Sequence, residues 1–225
     1  MAQPSPDIPR RLPRGTHGLD RDVVEASQRT RLLEAVGRAV AERGYAAATI
    51  DDVVRRAGVS KKTFYEHFAD KEDCFLAAYE AASEELLERV REAHAIHDDW
   101  LERTRAGVRA YLRWLAAEPA LARVFLIEVA AAGPRALECR EALRDRYAEL
   151  VRERRPSDLP FELFHAVVAA VDDVVVRHIR EHGAARLPEL EPILMRLQVA
   201  LLAGPDVAAG STRLLKRSNE GGRTE

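Results

Sequence analysis

An all-α protein is the fold class this sequence predicts, on three observations. From Asp20 onward no proline interrupts the chain until Pro119, so no backbone donor is lost over that length. Apolar residues return every three or four positions, as at Leu32 or Leu33, Val36 and Val40, which is the period of a helix face. No segment shows the strict alternation of a half-buried strand. The chain has 225 residues, 47% hydrophobic and 32% charged, a composition that supports a packed core and excludes a mainly disordered or collagen-like chain.

The elements follow in order. MAQPSPDIPRRLPR opens the chain with four prolines and is expected as an extended arm, basic through Arg10, Arg11 and Arg14. A helix is expected over 27–43, closed by Gly44 in a left-handed cap. Thr49 is an N-cap candidate for a second helix whose apolar face is Ile50, Val53, Val54 and Ala57, with Asp51 and Asp52 at the positive end of its dipole. Gly58 stops it, Ser60 caps KKTFYEHF, and Asp70 starts the next helix. Phe75, Tyr79, Ala82, Leu86 and Val90 then mark a long amphipathic stretch over about 72–92. Prolines 119, 134, 156, 160 and 188 divide the remainder into helices expected at 99–117, 120–132, 135–154, 161–181 and 188–203. The tail from Gly204, with four glycines and few apolar residues, is expected to be disordered. The organisation is thus an arm over 1–26, a small helical unit over 27–73, a larger one over 74–203 and a tail over 204–225.

Charge and chemistry narrow the function classes. Thirty-five basic against thirty-seven acidic residues give a net charge of -2, so a nucleic-acid partner has to be recognised through a local patch. Cys74 and Cys139 are too few for a disulfide framework or a four-ligand zinc site and fit a reducing cytosol. His94 with His97, and His178 with His182, have spacings that hold two metal ligands, but neither pair has a third ligand nearby in sequence, so no metal and no cofactor is expected. There is no run of eighteen apolar residues and no secretory h-region; the expected location is cytoplasmic and nucleoid-associated, with no membrane partner. An enzyme is the competing class, against which stands the lack of a nucleophile motif, phosphate loop or carboxylate cluster. A co-regulator using the small helical unit over 27–73 for protein contacts is the other alternative.

Residues 49–72, TIDDVVRRAGVSKKTFYEHFADKE, carry the functional signal. They read as helix, glycine turn, helix. Ala57-Gly58-Val59 supplies the small residue and glycine that let two helices meet steeply, with Val59 plugging the angle. Phe64 and Phe68 anchor the second helix, leaving Lys61, Lys62, Thr63, Tyr65 and His67 as donors for phosphates and base edges. Five cations against four carboxylates over 49–71 leave an excess of one, so attraction to DNA depends on placement.

Arg31 and Ala35, Arg43-Gly44-Tyr45, Thr49-Ile50, AGVSKKTFYEHF at 57–68 and Lys71-Glu72 together make the chain from Arg31 to Tyr79 resemble the DNA-binding domain of the TetR family of bacterial transcriptional repressors. The resemblance implies a three-helix DNA-binding head over 27–73, a helical effector-binding and dimerisation body over 74–203, and two heads in successive major grooves of a palindromic operator in double-stranded DNA. Thr49, Ser60, Lys61, Tyr65 and Lys71 resemble phosphate-contacting positions of the family. Lys62, Thr63 and His67, with Tyr65 shared, are the candidates for base edges. Lys62 stands where the family often has glycine, Val40 where an aromatic is common, and Val53-Val54 where Ile-Ala is commoner. The arm is also longer than in many members.

In the body, Trp100, Tyr111, Trp114, Phe125, Tyr147 and Phe164 are candidates to line a small-molecule site between helices. Glu128, inside the apolar run VFLIEVAAA, is either paired with an arginine such as Arg123 or offered to a ligand. Two stripes, Phe161, Phe164, Val168, Val171, Val175, Ile179 and Leu190, Leu194, Leu197, Leu201, suit a four-helix interface between two copies. The expected function is a homodimeric regulator, a repressor that leaves its operator on binding a small, largely apolar effector.

Overall fold

The structure is a computed structural model that describes residues 21–154 and 159–202. Its elements there are helical: α1 Arg21–Arg43, α2 Ile50–Ala57, α3 Lys61–His67, α4 Lys71–Ala95, α5 Trp100–Ala117, α6 Pro119–Leu126, α7 Pro134–Arg154, α8 Phe161–His182 and α9 Glu191–Leu202, with 3-10 turns at Glu128–Ala131 and Ala184–Leu190. The expected arm up to residue 20 and the tail beyond 202 lie outside the described residues. The chain divides into two compact units inside α4, at Glu80–Ala81, later than the expected boundary at 73.

Helix α1 begins at Arg21, six residues before the expected start, so the arm assigned to 1–26 is helical at its end. No proline stands in this stretch, Asp22 lies in the first turn, and Arg21 pairs with Glu25 one turn on at 2.7 Å. Gly44 follows with φ 77°, the left-handed conformation that ends the helix cheaply only at glycine. The core of the first unit is Leu32, Val36 and Val40 of α1 against Val53 of α2, Phe64 of α3 and Phe75 of α4, each at most 1% exposed. Valine at 40 and at 53-54 is therefore accommodated without leaving this core open to solvent. Tyr45 closes one end, its ring meeting that of Phe75 edge-on with centroids 5.0 Å apart.

In the second unit the expected helix over 120–132 is split. Helix α6 stops at Leu126, and a 3-10 turn follows from Glu128. The expected helix over 188–203 starts only at Glu191, because Pro188 sits inside the 3-10 turn before it. Helices α7 and α8 pack antiparallel: Ala148 of α7 and Phe164 and Val167 of α8 share a cluster with Leu202 of α9, and Trp100, Val151, Leu159 and Val168 pack on it.

One close approach is set by a glycine. Gly107 of α5 is buried against the imidazole of His94, which is 6% exposed, and a Cβ built at position 107 would overlap that ring. Gly107→Ala is expected to destabilise the protein by about 1–3 kcal/mol, read as a lower urea midpoint. Adding His94→Ala in the same chain is expected to recover part of that loss.

Candidate nucleic-acid interface

The geometry of the head is built from caps. Thr49 has extended backbone, and its hydroxyl accepts from the Asp52 N–H at 3.2 Å. In return Asp52 accepts from the Thr49 N–H at 3.2 Å and from its hydroxyl at 2.8 Å, completing a reciprocal capping box. The Asp52 side chain is only 6% exposed, with Arg55 at 2.5 Å and Arg43 at 3.6 Å. The Thr49 hydroxyl is the main reason its pKa lies below the ordinary value; it outweighs burial, and the Thr49 N–H and both arginines add to it.

At the other end of α2, Gly58 adopts φ 66°, and its N–H donates to Val54 O. Arg31 of α1 donates to Ala57 O at 2.9 Å. The exposed carbonyl end of α2 is thereby satisfied within the fold. Ser60 opens α3 by accepting from the Thr63 N–H at 3.0 Å. Phe64 is fully buried and Phe68 is 3% exposed, which fixes the rotation of this seven-residue helix. The opposite side then faces solvent. Tyr65 is 57% exposed and braced by its edge-to-face contact with Phe64 at 5.5 Å. Lys62 is more exposed still, with Glu66 no nearer than 3.9 Å. Lys61 pairs with Asp51 at 2.7 Å, and that carboxylate raises its pKa.

Two of the candidates have partners inside the fold. His67 lies at the inward-turning end of α3, half-buried, with Nε2 3.3 Å from Gln28 Oε1 of α1, so its ring nitrogen serves helix packing. Lys71 is half-buried and donates to Tyr45 O at 2.7 Å and Ala48 O at 3.0 Å, its ammonium 4.2 Å from the centre of the Tyr45 ring. Burial lowers its pKa. This lysine clamps the α1–α2 connection, and two of its three donors are spent there. Sequence reasoning missed Arg29, whose guanidinium lies 4.8 Å from the centre of the Phe68 ring and covers the end of α3 from the solvent side.

The body candidates fall into pairs. Trp114 meets Phe125 edge-on at 5.8 Å, and Tyr111 meets Tyr147 at 6.3 Å. Trp100 packs on the cluster that contains Phe164. Glu128 is held by Arg123 at 3.1 Å, the paired alternative. Cys74 is buried, and burial pushes its thiol up to about 12, which leaves it inert near neutral pH. His178 and His182 stack at 4.6 Å, with His178 Nε2 3.2 Å from Arg186 O. Of the two expected interface stripes, Phe164, Val175, Leu190 and Leu194 are at most 5% exposed within the chain itself. They are core, because the strongest apolar stripe of each helix is spent on its own bundle. Phe161, Leu201 and the unanticipated Ile193 are exposed, while Val168, Val171, Ile179 and Leu197 are partly so.

A capped helix, a glycine turn and a short second helix with a polar outward face define a helix-turn-helix head. Residues 32–78 match the family described as bacterial regulatory proteins, tetR family. That match covers the helix-turn-helix head, 47 of the 225 residues, and over it the chain is similar to the family. It is 36% identical over 88 residues to the HTH-type transcriptional activator FasR of Mycolicibacterium smegmatis, a match covering 39% of this chain and 40% of that protein. This similarity therefore spans less than half of FasR. To the HTH-type transcriptional repressor AcnR of Corynebacterium diphtheriae it is 29% identical over 167 residues, covering 69% of this chain and 83% of that one. Among solved structures, the transcriptional regulator FadR of Bacillus subtilis in complex with stearoyl-CoA superposes with a TM-score of 0.64 at 17% identity, over 78% of this chain and 98% of that one. These relatives are regulators, and no helix of the described residues is long and apolar enough to cross a membrane.

Two consequences concern the stability of the head. Because Asp52 has a depressed pKa in the folded state, it contributes stability above its unfolded pKa and loses it as pH falls through the folded value. Urea midpoints of the wild type are expected to drop as pH falls through and below the ordinary carboxylate range, and Asp52→Asn to flatten that limb. Lys71→Met leaves two carbonyls without their donor and is expected to cost roughly 1–2 kcal/mol in the same assay at neutral pH.

Proposed function

We propose that the protein is a homodimeric repressor that binds a palindromic operator in double-stranded DNA and releases it when a small, largely apolar effector occupies the body. The observation that carries this reading is the outward face of α3, where Lys62 and Tyr65 are exposed beside Lys61 and Thr63 while Phe64 and Phe68 lock the helix from behind. Lys62, Thr63 and Tyr65 read base edges, the long cation of Lys62 suiting guanine O6 and N7. Thr49, Ser60, Lys61 and Tyr65 hold phosphates and set register. Lys61 exchanges Asp51 for a phosphate, a swap that exposed ion pairs permit at small cost. Repression is favoured over activation by the longer of the two relative matches, which is to a repressor.

Dimerisation is supported by Phe161, Ile193 and Leu201, exposed apolar residues of α8 and α9. A two-fold pairing of these helices presents two heads to half-sites about 34–36 Å apart. The effector dissociates the complex only if it binds better to a body whose heads do not match that spacing. The stearoyl-CoA bound to the FadR relative favours an effector with a long apolar portion. The place of action is the chromosome in the cytoplasm.

Capture of sheared genomic DNA by the purified protein, with sequencing of the retained fragments, tests this reading. Enrichment of a palindrome is expected, and its absence would leave α3 without a sequence to read. On the recovered site, Lys62→Ala is expected to cost about 1–3 kcal/mol and to relax preference at one position per half-site. Lys61→Ala is expected to weaken all sequences alike and reduce the salt slope by about one per head. Light scattering is expected to give a dimer, and a monomer would remove the palindrome.

A further inference from the structure

We infer that a polar cluster between α5, α7 and α8 anchors the head group of the effector, and that this head is anionic, a carboxylate or a phosphate, on an apolar tail. This rests on the reading of the body as an effector-binding unit. Arg140 and Arg144 stand one turn apart on α7, each side chain 17% exposed, and converge on one oxygen of Asp172 of α8, which is 13% exposed. Arg144 Nε donates to Asp172 Oδ2 at 2.9 Å, and Arg140 Nη2 lies 3.8 Å from the same atom. The other Asp172 oxygen accepts from the Tyr111 hydroxyl at 3.3 Å. Arg144 has a second carboxylate in Glu141 at 2.8 Å. Arg140 holds only the long contact to Asp172, and its enclosed Nε has no hydrogen-bond acceptor among the described residues.

Two guanidinium groups thus share one half-buried carboxylate. The remaining acids near them, Glu141 and Asp145, are more than half exposed and lie 3.5 and 3.6 Å from His165. An enclosed guanidinium with an unused N–H is costly unless an acceptor reaches it. Its planar fork matches the two oxygens of a carboxylate or phosphate. The surroundings supply the other half of the ligand. In the antiparallel register of α7 and α8, the layers beyond Arg144 and Asp172 are Ala148 and Val151 against Val168, Val167 and Phe164. The seam therefore changes from cationic to apolar within about two helical turns, roughly 10 Å.

An anion on Arg140 competes with Asp172 for the arginine pair and loosens the tie that joins α8 to α7 and α5. This gives the ligand the difference in affinity between two arrangements of the body that a response requires.

Calorimetric titration of the full chain with decanoate, decyl phosphate and 1-decanol tests the inference. The two anions are expected to bind once per chain and about tenfold or more tighter than the alcohol, the tighter of them naming the head group. Arg140→Met, which keeps the apolar stem, is expected to abolish that advantage while leaving 1-decanol unchanged; Arg140→Gln serves if the first variant loses its cooperative melt. Equal binding of decanol and the anions to the wild type would overturn the anionic head and leave an apolar-effector body standing. An advantage that survives in both variants would move the anchor away from Arg140. Failure of all three compounds to bind would overturn the anchor together with the apolar-effector reading.

Discussion

The burial of Phe64 is the constraint on which the outward face of α3 depends. Helix α3 has seven residues, too few to be stable in isolation, since its nucleation cost is spread over hardly two turns. It exists because Ser60 caps one end and because Phe64 and Phe68 are taken out of water. At about 25 cal/mol per Å2 of apolar surface removed, two aromatic rings outweigh any helix propensity in KKTFYEH. Since side chains on a helix are separated by fixed angles, fixing Phe64 also fixes where Lys62 and Tyr65 point. The rigidity of this face is therefore inherited from the core, while Lys62 and Tyr65 themselves project to solvent.

The charges of the head follow the same division. Cations that hold the fold together are turned inward or over a partner: Arg31 onto Ala57 O, Lys71 onto Tyr45 O and Ala48 O, Arg29 over Phe68. On α3 the cations left at the surface are Lys61 and Lys62, while Arg38, Arg43 and Arg55 are exposed on α1 and α2 with carboxylate partners. An almost neutral net charge is consistent with a surface that binds a polyanion, because a protein's total does not determine its local field.

Much of this was legible in the sequence, and the boundary of legibility is physical. Thr49, Gly58 and Ser60 act on atoms within four residues of themselves, so their residue types and spacing announce them. The rotation of α3 follows from two phenylalanines four apart. The internal partners of His67 and Lys71 were not legible, because Gln28, Tyr45 and Ala48 lie 23 to 39 residues away, and the sequence around a basic side chain after a helix does not announce them. The start of α1 was hidden for a different reason: its first turn carries an exposed ion pair in place of an apolar stripe. The stripe of α8 misled in the body. A helix apolar on two faces shows one continuous period, and spacing alone does not tell which face turns to its own bundle. Burial separates Phe164 and Val175 from Phe161, a distinction that only the tertiary packing makes.

That double-faced character of α8 bears on how the proposed regulator would respond to a ligand. The helix presents Phe164, Val167 and Asp172 to its own bundle and Phe161 to solvent, so in the proposed dimer the same rigid rod touches both the effector's surroundings and the second subunit. Moving a two-state equilibrium from 1:99 to 99:1 takes about 5.5 kcal/mol of differential binding, and a two-fold dimer with two sites divides this into about half per subunit. A contribution of that size is within reach of one charge-assisted pair exchanged inside a poorly hydrated seam. Burial of a purely apolar ligand has no such inherent preference, because it is rewarded alike in any arrangement of the helices that encloses it. The polar part of the body is therefore the place where binding is most readily converted into a change of arrangement, and the apolar part is where affinity accumulates.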